Sequence, residues 1–295
     1  MEAVQSKPVT RTRIKADLIL LTVAIIWGSG FIPQRIAAVQ MPFYLFNFLR
    51  IMLAGLIFLP LALRSWKKMD RSAWVGCAVT GAILFGGLAF QQAGMRYTYI
   101  SNTGFITGLY VVFVPIIMAV IYRQIPRWSI WVASVLAVLG MFLLSTGGQF
   151  RLAYGDLLVL IGAIFWALHV VWIGRMVGRV EVLQLSVVQY FVCGVLNLLL
   201  MLLAREEINT GLVIQYGWTV VYSAVFSVGL GFTLQGIGQR TAPAADAAIL
   251  LSMEAVFASL FGWVILGEAM TAVQVAGCVL MFSGMLLAQV HGLKS

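Results

Sequence analysis

The sequence predicts an all-α integral membrane protein: ten transmembrane helices arranged as two inverted five-helix repeats. Three observations predict it. Hydrophobic residues make up 62% of the 295-residue chain and charged residues only 10%, with a mean hydropathy of +1.00. A soluble domain is roughly half apolar and a quarter charged, so the solvent of this chain is lipid. The chain also divides into ten apolar segments, each close to the ~20 residues that a helix needs to cross a bilayer. Finally, it reads twice. Asp17-Leu18 through Leu21, Ala24, Ile25 and Trp27 recurs 139 residues later as Asp156-Leu157 through Leu160, Ala163, Ile164 and Trp166. Gly94, Arg96, Val112, Phe113, Leu136, Gly140, Met141 and Leu143 recur 144 residues later as Gly238, Arg240, Val256, Phe257, Leu280, Gly284, Met285 and Leu287.

Taken in order, the first span covers 16–37. It comes after the basic residues Lys7, Arg11, Arg13 and Lys15, with no A-x-A-like cleavage motif behind it, so it reads as a membrane helix and not a removable signal peptide. Met41-Pro42 separates it from 43–63, and a basic loop (Arg64 to Arg71) leads to 72–93. Arg96 marks the junction with 100–122, where Pro115 frees a backbone carbonyl and predicts a kink. Gln124-Ile125-Pro126 precedes 128–146. The second copy then runs as 155–176, 183–204, 215–238, 245–266 after Ala242-Pro243, and 271–290. The domain reading is a tail at 1–15, a first unit at 16–147 and a second at 148–291.

Lysine and arginine counts over alternate loops give fourteen on the side of the N-terminus and four on the other, Arg50 lying within a span. The positive-inside rule then puts both termini in the cytoplasm. Five spans per copy is an odd number, so the second copy enters the membrane upside down, with Asp17 and Asp156 at opposite faces. The net charge of +9 is dispersed over short loops with no basic stripe among aromatics, which argues against nucleic acid as a partner. Cys77, Cys193 and Cys278 each lie inside an apolar span. Neither a disulfide nor a metal site nor a cofactor is expected.

Ionisable groups inside a bilayer cost a few kcal/mol or more, so each exception is a candidate site residue. Arg50 suits an anionic group such as a carboxylate, against snorkelling to the interface or bonding a neighbouring helix end. Glu254, about 13 Å into the ninth span at 1.5 Å per residue, suits a proton or a substrate ammonium, against a hydrogen bond that supports packing. His169 suits a proton relay, against a packing histidine. Asp17, Asp156 and Asp246 stand at span starts and read as helix caps. Gln91, Gln189 and Gln235 suit a polar ligand, against interhelical bonding; Gln91 and Gln235 correspond under the repeat. Of the aromatics, Trp27, Tyr110 and Trp166 are placed to line a midplane cavity. Arg50, Glu254 and His169 face Gln189, Tyr110 and Gly30 as repeat counterparts, so charge is the asymmetric element.

The stretch Leu251-Ser252-Met253-Glu254-Ala255-Val256-Phe257 through Gly267-Glu268 resembles the signature near the end of EamA-type permeases of the drug/metabolite transporter superfamily. Thr103 to Pro115, Trp27-Gly28 and Leu49-Arg50 resemble the same pattern, so the resemblance covers essentially the whole chain. Ala255 stands where many members carry proline, so the resemblance does not imply their helix bend at Glu254. The resemblance implies export or uptake of small metabolites, often amino acids or their derivatives, by a transporter of the bacterial inner membrane; a secondary transporter that exports amino acids or related amphipathic compounds is the preferred reading. It implies a central cavity lined by both repeats, worked by the two repeats rocking around it. The competing readings are an uptake permease or facilitator and a membrane-embedded lipid-modifying enzyme; the enzyme would need paired ionisable residues at one interface. A small-molecule substrate and the lipid bilayer are the expected partners. Proton coupling, sodium coupling, uniport and the oligomeric state stay open.

Overall fold

The computed structural model describes residues 7–98, 100–149, 151, 153–267 and 270–294, and among these the chain is all-helical. Among the described residues ten helices are long and apolar enough to cross a membrane. They run as Lys7–Gln40, Phe43–Arg64, Arg71–Met95, the broken pair Ile100–Gly108 and Tyr110–Val120, Trp128–Thr146, Gly155–Met176 and Val182–Leu203. The eighth is Thr210–Gln239, with a π-helical stretch at Ser223–Leu230. The ninth is the broken pair Ala244–Ser252 and Glu254–Leu266, and the tenth is Ala272–Lys294.

The elements agree with the ten expected spans, and the differences have causes. The first helix is described from Lys7, nine residues before its apolar stretch, and within that extension Arg13 and Asp17 pair across one turn at 2.9 Å. Asp17 is therefore not a cap but lies mid-helix. Asp246 is also not the expected cap: its Oδ1 takes Arg127 Nη2 at 2.5 Å and Arg13 Nη2 at 3.0 Å. Asp156, in the first turn of the sixth span, does accept the Ala153 N–H at 2.7 Å, and it also binds the Thr98 hydroxyl and the Asn102 amide. A true side-chain cap opens the third span, where Asp70 accepts from Ala73 N at 2.7 Å. Pro115 does not break its helix. The Val111 carbonyl that it frees takes the Ser134 hydroxyl at 3.0 Å, and the break in this span falls earlier, at Leu109.

Each of the ten spans packs most heavily on a span of the other half. The first lies on the eighth and ninth as the sixth lies on the third and fourth, the second lies on the seventh, and the fifth lies on the tenth. Apolar side chains feel no hydrophobic drive toward one another in lipid, so close backbone approach must hold these pairs. A Cβ at Gly94 would lie 2.9 Å from the Gly155 carbonyl, and one at Gly238 3.3 Å from the Ala16 carbonyl. These are the same contact in the two copies, which explains why Gly94 and Gly238 recur. Gly140 abuts Met281 while Gly284 abuts Ala133, so the fifth and tenth spans are antiparallel. Gly55 against Phe191 and Gly194 against Met52 give the same sense for the second and seventh.

Candidate functional site

A cavity of about 70 Å³ lies between the first, second, third, fourth, sixth, eighth and ninth spans. The first span presents Trp27, Phe31 and Gln34 at i, i+4 and i+7, a single helical face. The eighth presents Val228, Phe232 and Gln235 at the same spacing, with Ser227 beside them. Phe232 stacks on Trp166 (6.1 Å, 12°) and tilts against Trp27 (5.2 Å), so the two indoles paired by the repeat share one phenyl ring.

Two helix breaks bring Tyr110 and Glu254 to this cavity. Leu109 has φ −60° and ψ −12° and its N–H bonds Ile106 O, three residues back. Met253 has φ −61° and ψ −11° and bonds Leu250 O, again three back. A turn tightened from α toward 3₁₀ geometry rotates the helix beyond it about the axis. The next residue is Tyr110 in one span and Glu254 in the other. The break at Met253 thus forms with Ala255, and no proline, beside it. Among the described residues the Tyr110 hydroxyl has no hydrogen-bond partner, and no donor meets the Glu254 carboxylate.

Arg50 is 2% exposed and lines the same cavity, so it does not snorkel to an interface. Its Nη1 donates to Gln34 Oε1 at 3.0 Å, and its Nε and Nη2 have no partner among the described residues. The Phe46 ring lies 4.8 Å from its central carbon. His169 lines the cavity edge-on to Trp166 and Phe232. Its Nε2 stands 3.0 Å from Gln189 Oε1, which makes Nε2 the protonated nitrogen in that bond. Gln189 itself is buried behind the histidine and is the one site residue expected from the sequence that does not line the cavity. Gln91 donates to Thr107 at 3.0 Å; Gln235 donates to Gln239 at 3.0 Å and leaves its own Oε1 without a partner.

The π-helical stretch of the eighth span turns backbone carbonyls outward, and two distant side chains meet them. Trp27 Nε1 donates to Ser227 O at 2.9 Å, and the Tyr190 hydroxyl donates to Val228 O at 2.9 Å. Trp166, the counterpart of Trp27, has an indole N–H with no partner among the described residues.

Sequence reading missed Gln34, Thr107, Ser227 and Phe232 as lining residues. The helical spacing from Trp27 to Gln34, and from Phe232 to Gln235, was the available signal. Among the described residues no three His, Cys, Asp or Glu side chains gather as a metal ion would need.

The pattern of the EamA-like transporter family matches this chain twice, over residues 14–146 and 153–289. An uncharacterized transporter of Archaeoglobus fulgidus is 32% identical over 95% of this chain and 87% of its own length. The uncharacterized inner membrane transporter YedA of Escherichia coli K12 is 28% identical over 57% of this chain and 58% of its own. One solved crystal structure superposes with a TM-score of 0.79 at 18% identity, over 94% of this chain and 97% of that one.

Proposed function

This chain belongs to the EamA-like transporter family, and from that premise we propose that it is a secondary transporter, not an enzyme, which exports small amphipathic metabolites such as amino acids. One observation carries the reading. Six buried polar atoms without partners among the described residues belong to residues that line one cavity: Arg50 Nε and Nη2, Tyr110 OH, Trp166 Nε1, Ser227 Oγ and Gln235 Oε1. A buried polar group left unpaired costs about 1–3 kcal/mol, so a ligand that pairs several of them is favoured strongly over an apolar one. Arg50 takes an anionic group, Glu254 takes an ammonium or a proton, and the rings of Trp27, Trp166 and Phe232 hold the apolar body.

A space of about 70 Å³ admits only a few water-sized groups. A metabolite enters by spreading the helices, which favours alternating access over a standing pore. The antiparallel packing of the second on the seventh span, and of the fifth on the tenth, supports an inverted pair of units at 16–147 and 148–291. The charge asymmetry of the loops favours cytoplasmic termini, and the inner-membrane description of the Escherichia coli relative supports that membrane.

The test is a metabolite screen that compares efflux from cells overexpressing the protein with efflux from cells lacking it. Export of at least one amphipathic amino acid or relative should differ between them. No difference across amino acids, sugars and aromatic cations would sink the exporter reading.

A further inference from the structure

We infer that the buried ion-pair cluster at the N-terminal face of the bundle is a one-sided latch, which holds that entrance of the cavity shut while its repeat counterpart at the opposite face carries no such lock. The inference rests on the alternating-access reading above.

At the N-terminal face Arg13 lies between two carboxylates, Nε at 2.9 Å from Asp17 and Nη2 at 3.0 Å from Asp246. Arg127 reaches the same Asp246 oxygen at 2.5 Å, and Arg13 also donates to Gln289 at 3.3 Å. The side chain of Asp246 is 4% exposed. The cluster thus ties together the starts of the first, fifth and ninth spans and the end of the tenth.

The repeat shift of 139 residues carries Asp17 onto Asp156, and the shift of 144 carries Asp246 onto Asn102. Those two residues meet as well, at 3.1 Å, at the opposite face. Both copies therefore join the start of one span to the start of its packing partner. One joint is a carboxylate pair bridged by the Arg13 guanidinium, with Arg127 on the second carboxylate. The other is a single carboxylate on an amide and a hydroxyl. Separating the first joint pulls guanidinium from carboxylate, which costs more than exchanging one carboxylate's bonds to neutral donors for water.

The cavities agree with this asymmetry. A space of about 470 Å³ toward the opposite face shares Phe31 and Glu254 with the central cavity. A space of about 300 Å³ at the N-terminal face, around Val171 and Arg175, shares no wall with it.

The experiment uses the full chain with Cys77, Cys193 and Cys278 replaced by alanine. A single cysteine is placed at Val171→Cys, beside the N-terminal-face space, or at Ser259→Cys, beside the opposite one. A membrane-impermeant maleimide is applied to right-side-out and everted vesicles. Asp246→Asn should raise labelling at position 171 roughly tenfold and lower it at 259. Arg13→Gln should move both the same way, and Asp156→Asn should change neither by more than about twofold. Unchanged labelling in both Asp246→Asn and Arg13→Gln, or an equal shift from Asp156→Asn, overturns the latch. A rise at 171 with no fall at 259 keeps the latch and sinks alternating access.

Discussion

Shifted by 144 residues, the tightened turn at Leu109 falls on the one at Met253, and the residue after it is a tyrosine in the fourth span and a glutamate in the ninth. The backbone angles of the two turns agree within about a degree, so helix shape is common to both halves while the group delivered to the cavity is not. The same division runs through the rest of the site. Trp27 spends its N–H on the eighth span, whereas the N–H of Trp166 has no partner among the described residues. Arg50 faces the cavity where its counterpart Gln189 is turned behind His169. Packing between the halves constrains the backbone twice over. Nothing equivalent constrains the side chains that line the cavity.

The largest test of this contrast removes the charge that only the ninth span carries. Glu254→Gln should lower transport of the screened metabolite about 100-fold, as loss of a charged hydrogen bond worth up to ~3 kcal/mol would. Liposomes under a proton gradient give the measurement, and unchanged proton-driven rates would remove Glu254 from coupling. Next, Arg50→Gln makes the second span carry the residue type of the seventh. Transport should fall roughly 30-fold for a metabolite bearing a carboxylate, and much less for its amide or ester. Tyr110→Phe takes only a neutral hydroxyl from the fourth span, so a loss of about threefold is expected, well below that at Glu254.

Smaller effects fall on stability. Trp27→Phe should cost about 1 kcal/mol in unfolding from detergent, since Ser227 O loses its indole donor. Trp166→Phe should cost less there, because its N–H bonds nothing among the described residues. The smallest effect lies outside the membrane. Lys67 at 2.5 Å and Arg240 at 2.7 Å hold the Glu181 carboxyl below its ordinary range. A lowered carboxyl contributes stability above its unfolded pKa of ~4.3 and loses it as the pH falls through the folded value. Glu181→Gln should therefore lower the melting temperature slightly at neutral pH, by less than ~1 kcal/mol for so open a pair. The difference should fade as the pH falls through the folded value.

The ten spans and the repeat were legible because lipid permits only apolar helices, and because Gly94 and Gly238 meet the same carbonyl in both halves. The breaks were not legible. Neither leucine nor methionine marks a tightened turn, and the one proline within the fourth span, Pro115, has its freed carbonyl satisfied by Ser134. Eight of the nine expected site residues line one cavity, since polar groups at membrane depth are few enough to stand out. Asp17 was misjudged for a physical reason: hydropathy finds where lipid begins, and the helix begins nine residues earlier. Phe232 went unseen because a phenylalanine in an apolar run carries no sign of which face it lies on.

Every span has its principal neighbour in the other half, and this bears on what can move. The repeats are units of sequence, but under the proposed alternating access they are poor rigid bodies, since sliding one past the other would tear the first span from the eighth and the fifth from the tenth together. The proposed rocking would then involve a mixed set of helices drawn from both copies. A polypeptide severed between residues 147 and 154 should accordingly work only as two interlocked fragments made in the same cell, each unable to find its shape without the other.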